Sequence, residues 1–147
     1  MTTFSLADKI GIVLALLGLY VPTFLSFTGR KLTGEELQRV HPEHAWVRWG
    51  FPILGVLWFA LTFFLFFVNV MGKADLKGSP MSFLMGLFAA QSLFHGLFTI
   101  VTGVCPVPIG HVVFFVLGDK ALRNGVMQSL WSVGIFISAA IFWGANI

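Results

Sequence analysis

The sequence predicts an all-α integral membrane protein, a four-transmembrane-helix bundle with a short re-entrant or interfacial helix between helices 3 and 4. Two observations carry this. Of 147 residues only 15 are charged, nine Lys or Arg and six Asp or Glu, while hydrophobic types make up 57% and the mean hydropathy is +0.90. A soluble domain carries about 25% charged residues, and a disordered chain needs low hydrophobicity with high charge, so both classes are excluded. The apolar residues also fall into four runs, about 10–27, 46–71, 80–104 and 126–143, each close to or above the roughly 20 residues that cross a 30 Å hydrocarbon core. Backbone polar groups in lipid must be satisfied within the segment, so such runs form helices. The whole chain, 1–147, reads as one membrane domain.

The first run has 18 residues without a charge. No basic start or small-residue cleavage pattern marks it as a leader, so it reads as a retained helix, kinked near its end by Pro22. The connection 28–45 is the one sizeable polar segment. Thr33 is placed to cap a short helix, Glu35 and Glu36 favour its first turn through the helix dipole, and Pro42 ends it. The second run opens with Arg48, whose long stem lets its charge reach the headgroups. Trp46, Trp49 and Trp143 suit the membrane interface. After the third run comes Cys105-Pro106-Val107-Pro108-Ile109-Gly110-His111 and then 112–117, an apolar piece too short to span. The prolines break a preceding helix, and 105–120 is expected as the re-entrant or interfacial helix.

Small residues recur at packing distance: Gly11, Ala15 and Gly18 on the first helix, Ser92 and Gly96 on the third, Gly134 and Ser138 on the fourth. Such positions let helix backbones approach. Six basic residues (Arg30, Lys31, Arg39, Arg48, Lys120, Arg123) fall in or beside the first and third connections and three (Lys9, Lys73, Lys77) elsewhere. The positive-inside rule then places 28–45 and 105–125 in the cytoplasm, with the bilayer read as a plasma (inner) membrane. No basic run of the kind that binds nucleic acid occurs, and a single cysteine excludes an intrachain disulfide or a Cys-rich metal site.

No Asp or Glu lies inside any of the four runs, which argues against proton- or sodium-coupled transport. The polar content at depth is a stripe on the third helix, Gln91, His95 and Thr99 at i, i+4, i+8, facing Gln128, Ser129 and Ser132 of the fourth. His95 is either an interhelical hydrogen-bonding residue or a ligand, proton carrier or substrate contact. His41, Glu43 and His44 cluster before the second helix as candidate metal ligands. His111 and Cys105 are further candidates, His111 as the second ligand a bis-histidine heme would need. No cofactor is the leading expectation, with heme or metal behind it. The outline is similar to the MAPEG family of membrane glutathione and eicosanoid enzymes in length, helix number and basic first connection. That family's second helix opens with Arg followed by spaced Asn and Glu, where this chain has Arg39, Glu43 and Trp46. The resemblance is one of outline and assigns no catalytic residue.

Three functions compete on this reading. The first is a non-catalytic subunit packing by helix–helix contacts in a homo-oligomer or larger membrane complex, with the lipid bilayer and itself or other membrane subunits as partners. The second is a membrane-embedded enzyme or carrier for an apolar or amphipathic small molecule, with a His95-centred pocket. The third is a metal- or heme-binding membrane protein.

Overall fold

The computed structural model describes residues 6, 9–14, 16–17, 30–71 and 80–145. The Pro22 kink, Ala15, Gly18 and most of the first run lie outside the described residues, as does the side chain of Trp143. Residues 9–14 and 16–17 are helical, and Gly11 rests against the Met85 side chain so closely that a methyl group there would collide with it.

The connection folds as its sequence suggests. Helix α1, Gly34–Val40, begins with a capping box: the Glu36 N–H donates to Thr33 Oγ1 at 3.3 Å and the Thr33 N–H to Glu36 Oε2 at 2.8 Å. Both bonds satisfy amides that the first helical turn leaves orphaned. The helix stops at His41, and Pro42–His44 form a single 3₁₀ turn. Helix α2, Val47–Met71, follows. Its Pro52 falls in the second turn, where the missing N–H costs one bond to Arg48.

Helix α3 is Pro80–Thr102. It ends in Gly103, whose φ of +68° favours a residue without Cβ, and whose N–H donates to the Thr99 carbonyl at 2.9 Å; a left-handed glycine at this place is a common helix stop. Helices α2 and α3 are, among the described residues, the two that are long and apolar enough to cross a membrane.

The expected interfacial helix at 105–120 is not there. In its place stand two antiparallel strands, β1, Val104–Ile109, and β2, Val112–Leu117. Their register pairs Ile109 with Val112 and Val104 with Leu117, leaving Gly110-His111 as a two-residue turn. Gly110 supplies the positive φ, +60°, that such turns require. Hydrogen-bonded and non-bonded pairs alternate along an antiparallel hairpin. Counting from the turn, Cys105, Val107 and Ile109 fall in bonded pairs, and Pro106 and Pro108 fall where the N–H would point away from β2. The prolines therefore exclude a helix without weakening the ladder. The same alternation sends Phe115 the other way: it exchanges two backbone bonds with Leu32, at 3.0 and 2.9 Å, and so ties the connection to the hairpin.

Gly118, φ +71°, turns β2 into helix α4, Asp119–Ala145. The helix starts seven residues before the expected apolar span at 126, so 119–125 belongs to a helix and not to the connection. Its first turn carries Asp119, which the positive helix N-terminus favours.

The closest packing is between α3 and α4. At their crossing a Cβ on Gly96 would meet the Gly125 carbonyl at 2.8 Å and the Ser129 N at 2.9 Å, and one on Gly125 would meet the Gly96 carbonyl at 2.9 Å. The expected small-residue face at Gly96 is thus an intrachain contact. At Gly134, nothing among the described residues lies within 4 Å of its added methyl. An aromatic seam joins α2 to α3, with Phe51 against Phe94 and Phe98, Trp58 against Phe94, and Phe66 against Phe83. The Trp58 indole N–H also donates to the Ala90 carbonyl at 2.8 Å. A core of Leu32, Leu37, Val47, Phe98, Val104 and Phe115 binds the connection, the hairpin and the helix ends into one cap. Cys105, Val107, Val116 and Ala121 form a second cluster behind it.

Candidate functional site

Beneath that cap lies the polar stripe. His95 is seven residues, about 10 Å, from the end of α3, on the hairpin side of the helix centre. The Gln128 amide Nε2 donates to His95 Nδ1 at 2.9 Å. A neutral imidazole has one acceptor and one donor nitrogen, so this bond puts the ring proton on Nε2. Nε2 is buried and makes no hydrogen bond of good geometry, although the Pro106 carbonyl lies close enough to the ring to interact with it. Phe51 covers the ring, centroid to centroid 5.2 Å. Of the three partners expected on the fourth helix, the structure selects Gln128. Ser129 and Ser132 turn back on their own helix, donating to the carbonyls of Gly125 and Gln128 at 2.8 and 2.7 Å.

Other polar atoms of α3 are buried and left unsatisfied. Gln91 Oε1, Ser92 Oγ and Thr99 Oγ1 join His95 Nε2 as buried polar atoms without a hydrogen-bond partner. All four sit on α3 within nine residues. Each such atom costs about 1–3 kcal/mol relative to a satisfied one. Gln91 also lines an open groove of about 320 Å³ between α2 and α3, with Phe51, Pro52, Gly55, Val56 and Phe59. Gly55 keeps the groove narrow-walled, because a methyl there would reach Phe94 at 3.3 Å and the Gln91 Nε2 at 3.4 Å.

The second site candidate is the 3₁₀ turn. His41 Nδ1 is 3.0 Å from Glu43 Oε1, and His44 Nε2 is 3.9 Å from the same oxygen. The three ligand atoms lie within 4.8 Å of one another. His41 also opens onto a cleft of about 530 Å³ shared with Arg30, Val40, Leu117, Asp119 and Lys120. In the neighbouring capping box the Thr33 backbone N–H and hydroxyl hold the Glu36 carboxyl below the usual carboxylate range.

His111 and Cys105 stand apart from the stripe. His111 is exposed at the hairpin turn, lining a cleft of about 530 Å³ with Thr33, Glu35, Arg48 and Trp49. Three residues of strand, about 10 Å, separate Pro106 from Ile109 at the foot of the turn that carries His111, so the structure does not bring His111 to His95. Cys105 is a free thiol, buried in the second cluster. Arg48 leans over the Trp49 ring at 5.4 Å. The residue that sequence reasoning missed is Pro106: only the hairpin returns it to the imidazole. Comparison with known protein families, with curated proteins and with solved structures finds no match to this chain.

Proposed function

We propose that the chain is a multi-pass protein of the plasma (inner) membrane that works as a non-catalytic packing subunit, in a homo-oligomer or a larger membrane complex. On this reading the run at 10–27 and helix α4 complete four spans with α2 and α3, and the connection and the hairpin share the cytoplasmic side. Their packing against each other through Leu32 and Phe115 supports that common placement. The observation that carries the reading is the surface of α2. From Val47 to Val68 only Val47 and Gly55 are buried, and Phe59, Phe63 and Phe67 stack into an exposed ladder with centroid spacings of 6.1 and 6.0 Å. A pre-stacked aromatic row offers large contact area. On α4, Gly134 beside exposed Leu130 and Ile137 offers a second face of the kind that admits a neighbouring helix.

The test is cysteine cross-linking in membranes, in a chain whose Cys105 is replaced by Ser. Phe63→Cys, Phe67→Cys and Gly134→Cys should give disulfide-linked products between chains, and Ser132→Cys, buried, should give none. Absence of cross-links at all three exposed positions contradicts the proposal.

A second reading, a carrier or enzyme for an apolar or amphipathic molecule, draws on the four unsatisfied polar atoms of α3 and the groove beside Gln91. It requires that His95→Phe abolish transport or turnover in a chain that still folds.

A further inference from the structure

At the 3₁₀ turn two imidazoles and a carboxylate bring their donor atoms within 4.8 Å of one another, an arrangement that helix packing does not require. We propose that His41, Glu43 and His44 bind a divalent transition-metal cation of the Zn²⁺ type at the membrane edge. The donor set is two imidazole nitrogens and one carboxylate, which suits Zn²⁺ and its neighbours and not Mg²⁺ or Ca²⁺, whose sites are built of oxygens. Zn²⁺ bonds N and O at about 2.0–2.2 Å, so tetrahedral ligand atoms stand about 3.3 Å apart. The observed separations, 3.0 and 3.9 Å to the shared Glu43 oxygen and none above 4.8 Å, lie within a side-chain rotation of that value.

The backbone fixes the spacing. The His44 N–H donates to the His41 carbonyl at 3.0 Å, the Ala45 N–H to the Pro42 carbonyl at 3.1 Å, and the His41 N–H to the Leu37 carbonyl at 2.8 Å. Fully buried Leu37 and Val47 anchor the chain on either side. Pro42 holds its own φ. The three side chains project from a turn already formed, so binding orders little more than their rotamers. All three keep exposed surface, which gives the cation an entry path and leaves its remaining coordination to water. Bound there, the cation would clamp the end of α1 to the start of α2.

The experiment uses the full chain without a purification tag, in detergent micelles, stripped of metal with a chelator. Zn²⁺ is then titrated in competition with a chromophoric chelator. One Zn²⁺ per chain is expected, and Co²⁺ in its place should give the visible bands of a low-coordinate site. His41→Ala, His44→Ala and the near-isosteric Glu43→Gln should each weaken binding at least about tenfold, and His111→Ala should not. Circular dichroism confirms that each variant is folded. Failure to take up a stoichiometric ion, wild-type affinity in either histidine variant, or an equal loss in His111→Ala overturns the proposal.

Discussion

Replacing Gly96 by alanine should destabilise the protein by forcing α3 and α4 apart. The added methyl would lie 2.8 Å from the Gly125 carbonyl oxygen and 2.9 Å from the Ser129 nitrogen. Ordinary carbon contacts begin near 3.4 Å, so the helices must separate by roughly 0.6 Å at the crossing. Both obstacles are backbone atoms, which no rotamer change can move aside. Overpacking of this kind costs about 1–3 kcal/mol. The separation also lengthens the Gln128–His95 bond, since His95 is the residue before Gly96 and Gln128 lies about one turn after Gly125. Gly125→Ala meets the Gly96 carbonyl, Ile100 and Thr99 and should cost a similar amount, and the double variant should cost less than the sum because the first methyl has already opened the crossing. Gly134→Ala is the control: its methyl meets nothing within 4 Å among the described residues, and alanine is the better helix former. Reversible unfolding in mixed micelles, followed by near-ultraviolet circular dichroism, measures all four. A Gly96→Ala protein as stable as the parent, or a Gly134→Ala protein that loses as much, would refute the argument.

Other expectations follow from single contacts. Removing the amide in Gln128→Leu should cost about 0.6–2 kcal/mol, the range for interhelical hydrogen bonds in membranes, and a double-mutant cycle with His95→Leu should return a coupling of that size. In the capping box, the Glu36 carboxyl titrates lower in the folded chain than in the unfolded one, because Thr33 donates to the carboxylate. Its contribution is therefore present above the ordinary carboxylate pKa and is lost as pH falls through the lower folded value. The protection of residues 34–40 against hydrogen exchange, taken relative to the intrinsic rate at each pH, should fall in acid in the parent and change much less with pH in Glu36→Gln. Gly110→Val places a β-branched residue at φ +60° and should cost at least about 1–2 kcal/mol, read as faster exchange in the hairpin with α3 and α4 unaffected.

How far the fold can be read from the sequence depends on the range of the interactions that decide it. Local rules were enough for α1, because Thr33, Glu36 and Pro42 specify its two ends within ten residues. Length and hydropathy were enough for α2 and α3, whose observed limits lie close to the expected runs. The hairpin was legible in principle. Residues 112–117, Val-Val-Phe-Phe-Val-Leu, are β-branched and aromatic, the run is six residues long, and Gly110-His111 precedes it; these signs favour a strand over a helix. The two prolines obscured this, since a proline-bearing strand is tolerated only when the ladder register spares its N–H. The early start of α4 was hidden by Asp119, Lys120 and Arg123, which interrupt the apolar run but leave helix formation open.

The site shows the same division. The stripe Gln91, His95, Thr99 follows from helical periodicity, and its facing residues on α4 from which runs are apolar. Selection of Gln128 over Ser129 and Ser132 depends on the Gly96–Gly125 crossing, which sets the rotation of one helix on the other. The approach of Pro106 and the cover of Phe51 depend on the hairpin and on α2. No periodicity within α3 encodes either.

The proposal that this is a packing subunit is tested most directly by its mass in its own lipid. Extracted from the membrane in polymer-bounded nanodiscs without detergent and measured by native mass spectrometry, the chain should appear as two or more copies, or in fixed ratio with another membrane protein. A single 16.2 kDa chain alone in its disc, at the protein density of the source membrane, would contradict it.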